Sequence, residues 1–442
     1  MSEDLPRRIG FWGGSAIMVG IIIGSGIFAT PPVIAKYMGS PALILGLWVV
    51  GGVLSLFGAL VYAELATMFP RSGGMYVYLN EGLGSRVAFT FGWTYLLLSK
   101  PFAAAAISDI LATHINELFN ISMSRQMISA VVIVVLTVIN VVTVKGSSIM
   151  AMVLTSLKVL ALAAIVGLGV LLAKGSSTNF STAPRQLSAW VAIAPVMYGI
   201  LWTYDGWADV SAISGEVNEP ARQLPRILLV GISATILLYV AVNAIYFSLV
   251  PIDEMGNLKT VAPLVMERLI GPKGAKVVTA IIVISTLGAG HAAILTGARV
   301  TFAQARDGLL FRFLGRVHPQ FQTPDVSLWA QAALSMVAIF FWGKFEDLAE
   351  GYGFTLWIFH ALVAASVLVL RRRRPDVERP YKCWGYPWVP IVFIVICVGM
   401  TVAYIANDPK KTLPWLGVLF LGLPAHALWK WRTKSSERNM SP

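Results

Sequence analysis

Cysteine is almost absent from this chain: Cys383 and Cys397 are the only two. Two thiols at these positions build neither a disulfide framework nor a thiolate metal cluster. Charge is scarce as well, at 13% of residues against 57% hydrophobic ones. With a mean hydropathy of +0.73, this excludes a soluble globular protein, in which about a quarter of residues are charged. No polar stretch is long enough to form a soluble domain, so residues 1–442 are expected to make one membrane domain. Zinc-ligand spacings, phosphate-binding glycine loops and nucleophile–base arrangements are missing too. An enzyme is therefore not expected, nor a cofactor or metal. Repeated rings of polar residues, the mark of a channel pore, are equally lacking. The start, MSEDLPRR, is short and polar, with no small-residue cleavage site ahead of a polar region. The first apolar run is thus expected to stay as an anchor.

What the chain does have is apolar runs long enough to cross a bilayer, for which roughly 17–25 residues suffice. They lie at about residues 12–36, 41–68, 86–115, 126–144, 148–173, 188–214, 225–250, 275–302, 326–342, 349–370, 388–407 and 412–429. The pattern predicts an all-α integral membrane protein with 12 transmembrane helices embedded in a lipid bilayer. The net charge of +12 requires no nucleic-acid partner. With a cytoplasmic N-terminus, most Lys and Arg residues fall in inner loops and tails, among them Arg7, Arg8, Arg71, Arg86 and the run from Arg371 to Arg374. That is the bias that orients membrane chains. An even number of crossings then puts both termini in the cytoplasm.

Two of the runs carry residues that a plain spanning helix does not need. Gly20 to Phe28 reads GIIIGSGIF, and Leu201 to Trp207 reads LWTYDGW. Gly24-Ser25-Gly26 lets the backbone leave the helix at bilayer depth, and Gly206 does so beside Asp205. Irregular backbone at that depth persists only where it is buried in protein or lines a cavity. The breaks stand five runs apart, in runs one and six, and discontinuous helices at corresponding places of two halves point to a transporter site. Five is odd, so the two units, about 12–173 and 188–370, are inverted with respect to each other. The helices at about 388–407 and 412–429 are additional.

A broken helix exposes carbonyls at the end of its first half and N–H groups at the start of its second. An α-carboxylate suits the N–H groups of Ser25 and Gly26. An α-ammonium suits the carbonyls of Ile22, Trp202 and Asp205. Backbone groups of this kind recognise what all amino acids share, and side chains from runs three, six, eight and ten select the rest.

Six collinear stretches carry a family resemblance: GIIIGSGIF, LWTYDGW, GEVNEPARQLPR, ARVTFAQARDGLL, VHPQFQTP and RRRRPDVERPYKCWGYPWVP. Together they resemble the amino acid–polyamine–organocation (APC) superfamily, and within it the L-type amino-acid transporter (LAT) family, especially its bacterial exchangers of small neutral amino acids. The resemblance spans nearly the whole chain. It implies a LeuT-type 5+5 inverted repeat with two extra C-terminal helices, alternating access at the cell membrane, and sodium-independent exchange of L-amino acids. A proton-coupled amino-acid symporter, with cationic amino acids among its candidate substrates, is the alternative. The resemblance also makes Trp202 the aromatic gate over the substrate. Animal members carry a Cys in the outer loop after run three that bonds a glycoprotein partner. The loop here, about His114 to Gln126, has none, so no disulfide-linked heavy chain is expected.

The remaining polar residues within runs are few. Lys158 sits mid-run, at an insertion cost of about 2.5–3.5 kcal/mol. It is expected to face inward and neutralise the carbonyl end of broken run one in place of a metal cation, with proton carriage as the compatible second role. The resemblance supports the position, since the family carries a Lys there. Lys100 precedes Pro101, which predicts a kink. It is expected to pair with Asp109, Asp205 or Asp209, or else to join the side-chain pocket. Asp205 is read first as a cap of the second half of run six, and Asp209 as a pocket or ion-pair residue. Glu64 is expected to pair with a loop arginine such as Arg71. His291 and His360 are read mainly as hydrogen-bonded structural groups, with His291 a candidate for the pocket.

Overall fold

The computed structural model describes residues 7–438 except 120–121, 143, 173–174, 182–188, 344 and 408. The polar start and the ends of several expected runs, residues 143, 173 and 188 among them, therefore lie outside the described residues, as do two positions of the loop from His114 to Gln126. The elements in chain order are α1 (Phe11–Ile22), α2 (Gly26–Tyr37), α3 (Pro41–Met68), α4 (Met75–Leu83), α5 (Ser85–Thr94), α6 (Lys100–Phe119), α7 (Arg125–Val142), α8 (Val144–Leu172) and α9 (Ala189–Tyr204). There follow α10 (Pro220–Leu249), α11 (Ile252–Met255), α12 (Ala262–Ile270), α13 (Pro272–Arg306), α14 (Asp325–Phe341), α15 (Phe345–Arg373), α16 (Trp388–Asn407) and α17 (Pro409–Arg438). Among the described residues the one extended pairing is an isolated bridge between Ile9 and Val217.

Ten segments of the described chain are long and apolar enough to cross a membrane. Of the other two expected runs, 326–342 corresponds to α14, which has 17 residues. Run 188–214 corresponds to α9, with 16, continued after a break by 3₁₀ turns over Trp207–Glu216. The helix starts follow local chemistry. Ser40 accepts a bond from the Leu43 amide ahead of α3, and Pro41, Pro220 and Pro272 open α3, α10 and α13, where a missing N–H costs nothing. The kink expected at Pro101 takes the form of a π-turn over Tyr95–Ser99, which joins α5 to α6. Pro101 cannot donate to the preceding turn, and the wider turn accommodates the lost bond.

Polar side chains are buried within a large apolar core, and many large apolar side chains face outward as well. Ser285, Thr286, Asn243, Thr137 and Gln304 are buried, while Leu160, Leu171, Leu237, Val395 and Leu428 are exposed. Buried hydroxyls bond back to the carbonyl one turn earlier, as Thr235 does to Gly231 and Thr137 to Ile133, so they need no water. Within the bundle, α1 packs on α8, α10 and α13, α2 on α9, and α6 on α7, α13, α14 and α15. Those contacts surround the two breaks.

Candidate functional site

Residues Ile23, Gly24 and Ser25 separate α1 from α2. Helical bonding stops there: the Ile23 amide reaches Val19, the Gly24 amide turns back to Ile22 (2.8 Å each), and the Phe28 and Ala29 amides bond to the Ser25 carbonyl. The amides of Ser25, Gly26 and Ile27 stand at the front of α2, where helix geometry offers no intrahelical acceptor. Gly26 is required by close approach. A Cβ there would lie 2.9 Å from Thr203 Oγ1 and 3.2 Å from Thr203 Cα.

The carbonyl end of α1 is held by side chains from three other helices. Lys158 Nζ, on α8 and fully buried, donates to the carbonyls of Gly20 (2.6 Å) and Ile23 (2.8 Å). Ser285, on α13, donates to the Ile23 carbonyl at 3.1 Å. The Tyr239 hydroxyl, on α10, lies 2.8 Å from the Ile22 carbonyl and 3.3 Å from that of Thr203, so it ties the two broken helices together. Lys158 thus faces inward onto α1 carbonyls, as its position in the sequence predicts. Tyr239 and Ser285 escaped the sequence reading, because a lone hydroxyl on an apolar helix carries no sign of its partner.

The second break follows Tyr204. Gly206 adopts a φ of 108° and holds the capping position of the 3₁₀ stretch, with no side-chain cap bond. The chain thus passes from α9 into the 3₁₀ stretch through a left-handed glycine that directly follows Asp205. A Cβ on Gly206 would also collide with the Ile21 side chain in the last turn of α1, so the second break lies against the end of α1.

One cavity of about 60 Å³ lies between them, lined by Ile22, Ser25 and Gly26 of the first break, by Trp202 and Asp205 of the second, and by Lys100 and Asp209. Lys100, on α6, forms an ion pair with Asp209 and lies 5.4 Å from the centre of the Tyr95 ring. Of the three carboxylates considered for it, Asp109 bonds instead to Arg125 at 2.8 Å. A neighbouring cavity shares Trp202 and Asp205 and is otherwise walled by Tyr198, Trp357, His360 and Tyr404, among others.

Other expectations fall elsewhere. His291 turns toward α7, where Asn140 meets its Nδ1 at 3.1 Å and its carbonyl at 3.3 Å, and it is not among the cavity walls. His360 meets the Tyr62 hydroxyl at 2.9 Å. Glu64 does not pair with Arg71. It binds Arg371 at 2.7 Å, Arg379 at 3.6 Å and the Cys383 amide at 2.7 Å, while Arg71 reaches Glu81 at 3.0 Å and Asp307 at 3.6 Å. Nearness in sequence misled there: helix α15 brings a more distant arginine closer. Below the site, Arg299 and Glu216 make a buried bidentate pair at 2.9 and 3.3 Å, and among the described residues no cluster of side chains suited to a metal occurs.

Comparison with known proteins gives a consistent result. The family model described as amino acid permease matches residues 9–423. The chain is 31% identical over 433 residues to the cystine/glutamate transporter of Homo sapiens, covering 96% of this chain and 86% of that protein. It is 30% identical over 450 residues to the b(0,+)-type amino acid transporter 1 of Homo sapiens, covering 99% and 91%. To the serine/threonine exchanger SteT of Bacillus subtilis it is 29% identical over 399 residues, covering 89% and 90%.

Proposed function

Because the chain belongs to the amino acid permease family of the APC superfamily, we propose that it exchanges small neutral L-amino acids by alternating access, without sodium. That it is a multi-pass membrane protein that transports amino acids, and not an enzyme, follows from the family and its relatives. The finer reading rests on one observation above all: both helix breaks border a single cavity. The Ser25 and Gly26 amides hold the α-carboxylate. The carbonyls of Ile22, Trp202 and Asp205 hold the α-ammonium, and Trp202 closes over the substrate. Sodium is unnecessary because the Lys158 ammonium occupies the carbonyl end of α1, where a metal cation would otherwise be needed to neutralise the helix dipole.

The cavity is small. A cavity of this size favours amino acids of the alanine and serine class over larger ones. The bundle is read as a LeuT-type arrangement of twelve crossings, with α9 and its 3₁₀ extension as the sixth and α14 as the ninth. Its two inverted units cover about 12–173 and 188–370, and α16 and α17 are additional. The chain works in the plasma membrane with both termini cytoplasmic and with no disulfide-linked partner.

Counterflow tests this reading. Liposomes holding the purified protein and preloaded with unlabelled serine should accumulate labelled serine or alanine faster than empty ones, equally in sodium and in choline buffer. Uptake that is indifferent to preloading but driven by an imposed proton gradient would instead establish the symport alternative.

A further inference from the structure

We propose that the Lys100–Asp209 ion pair sets the charge class of the transported side chain and, among uncharged amino acids, favours those with a short hydrogen-bonding group. This rests on the amino-acid transport reading above and names the determinant within that same site. Both members of the pair border the cavity that the helix breaks border. Away from the helix breaks the wall is Ala103, Ile107, Ala289 and Ala293, short and apolar groups, while the other polar side chains of the lining, Ser25, Thr203 and Asp205, belong to the breaks themselves, with the Thr203 hydroxyl already bonded to Thr30. On the side away from the breaks, the polar contacts for a substrate side chain therefore come from the pair.

The charge balance gives the selection. Two lysines, Lys100 and Lys158, and two aspartates, Asp205 and Asp209, stand at or directly behind the cavity. Their formal charges cancel. A zwitterionic amino acid leaves that balance intact. A substrate with a charged side chain adds one net charge in a region of low dielectric, where Lys100 and Asp209 already neutralise each other. An ammonium offers three donors and a carboxylate about four acceptor sites, so a hydroxyl or carboxamide, which both donates and accepts, can bond to both members. An alkyl group of equal size can bond to neither. Removing one member leaves its partner as a buried charge whose counterion the substrate can supply.

The experiment uses the full chain in liposomes, with counterflow of labelled serine against L-glutamate, L-lysine and 2-aminobutyrate as competitors. Thermal shifts with the same compounds read the ranking in any variant that binds without transporting. In the unaltered protein serine should outcompete 2-aminobutyrate, and neither charged amino acid should compete. Asp209→Asn should raise glutamate relative to serine by about tenfold or more, and Lys100→Gln should do the same for lysine. The double variant Lys100→Met/Asp209→Leu, which keeps the balance neutral and buries no lone charge, should lose the preference for serine over 2-aminobutyrate while still refusing charged substrates. If both single variants keep the original ranking, or if the double variant keeps the full serine preference, the pair is only structural and the proposal fails. Should the single variants not fold, the double variant alone decides. An unaltered protein that exchanges no amino acid at all would instead overturn the parent reading.

Discussion

Gly26 shows how little space separates the two broken helices. The Cβ of any other residue would press on Thr203, whose hydroxyl already bonds to Thr30 at 2.8 Å. Gly26→Val is expected to cut amino-acid uptake by about a hundredfold, since an ångström of displacement at such a site has that effect, with normal amounts of protein in the membrane. Labelled uptake set against a membrane immunoblot checks it. Cys383 lends itself to a different measurement. Burial, followed by the Glu64 carboxylate, pushes its thiol up to about 12. The folded protein thus favours the protonated thiol, a contribution present below the ordinary thiol range and lost as pH climbs toward 12. Maleimide labelling of Cys383 in intact vesicles should stay negligible between pH 7 and 9 and become rapid only after unfolding, because the thiolate is the reactive form.

At the scale of elements, the 3₁₀ stretch after α9 is fastened at its far end. The Arg8 and Ile9 amides both bond to the Glu216 carbonyl, at 2.8 and 2.9 Å, and the Asn218 amide returns to Ile9 at 2.8 Å. The Glu216 side chain meanwhile pairs with Arg299 of α13. The entry to α1, the exit from the second break and α13 are thereby joined at one point. Breaking a buried pair on one side leaves a lone charge, so Arg299→Met is expected to destabilise the protein by about 3–5 kcal/mol. Thermal unfolding in detergent measures this, and Arg299→Met/Glu216→Leu should recover much of the loss. The π-turn before α6 belongs to the same scale. It was legible as a kink from Pro101, but its form was not, because a proline states only which bond is missing.

For the whole molecule, orientation follows from charge. Arg371, Arg372, Arg373 and Arg374 end α15 or directly follow it, and Arg71, Arg374 and Glu81 gather at the same end of the bundle. If this end is cytoplasmic, tags at either terminus should resist protease in right-side-out vesicles and be cleaved once the membrane is opened. The reading of twelve runs and the observed helices differ mainly at α9 and α14, which are short in their described extent. Length and hydropathy identify a run that crosses unbroken. They cannot tell how a helix ends where neighbouring helices supply the missing bonds.

The sequence by itself determined that this is a helical membrane protein, where its two helices break, and that Lys158 must turn inward. Each of these is a local matter: apolar length, a glycine at bilayer depth, a charge too costly to face lipid. Only the tertiary structure decided that Lys100 pairs with Asp209 and Glu64 with Arg371, that His291 faces Asn140, and that Tyr239 bridges the two breaks. Such pairings join residues far apart in the chain, and they depend on how helices rotate and pack, which the spacing of residues along one helix does not encode.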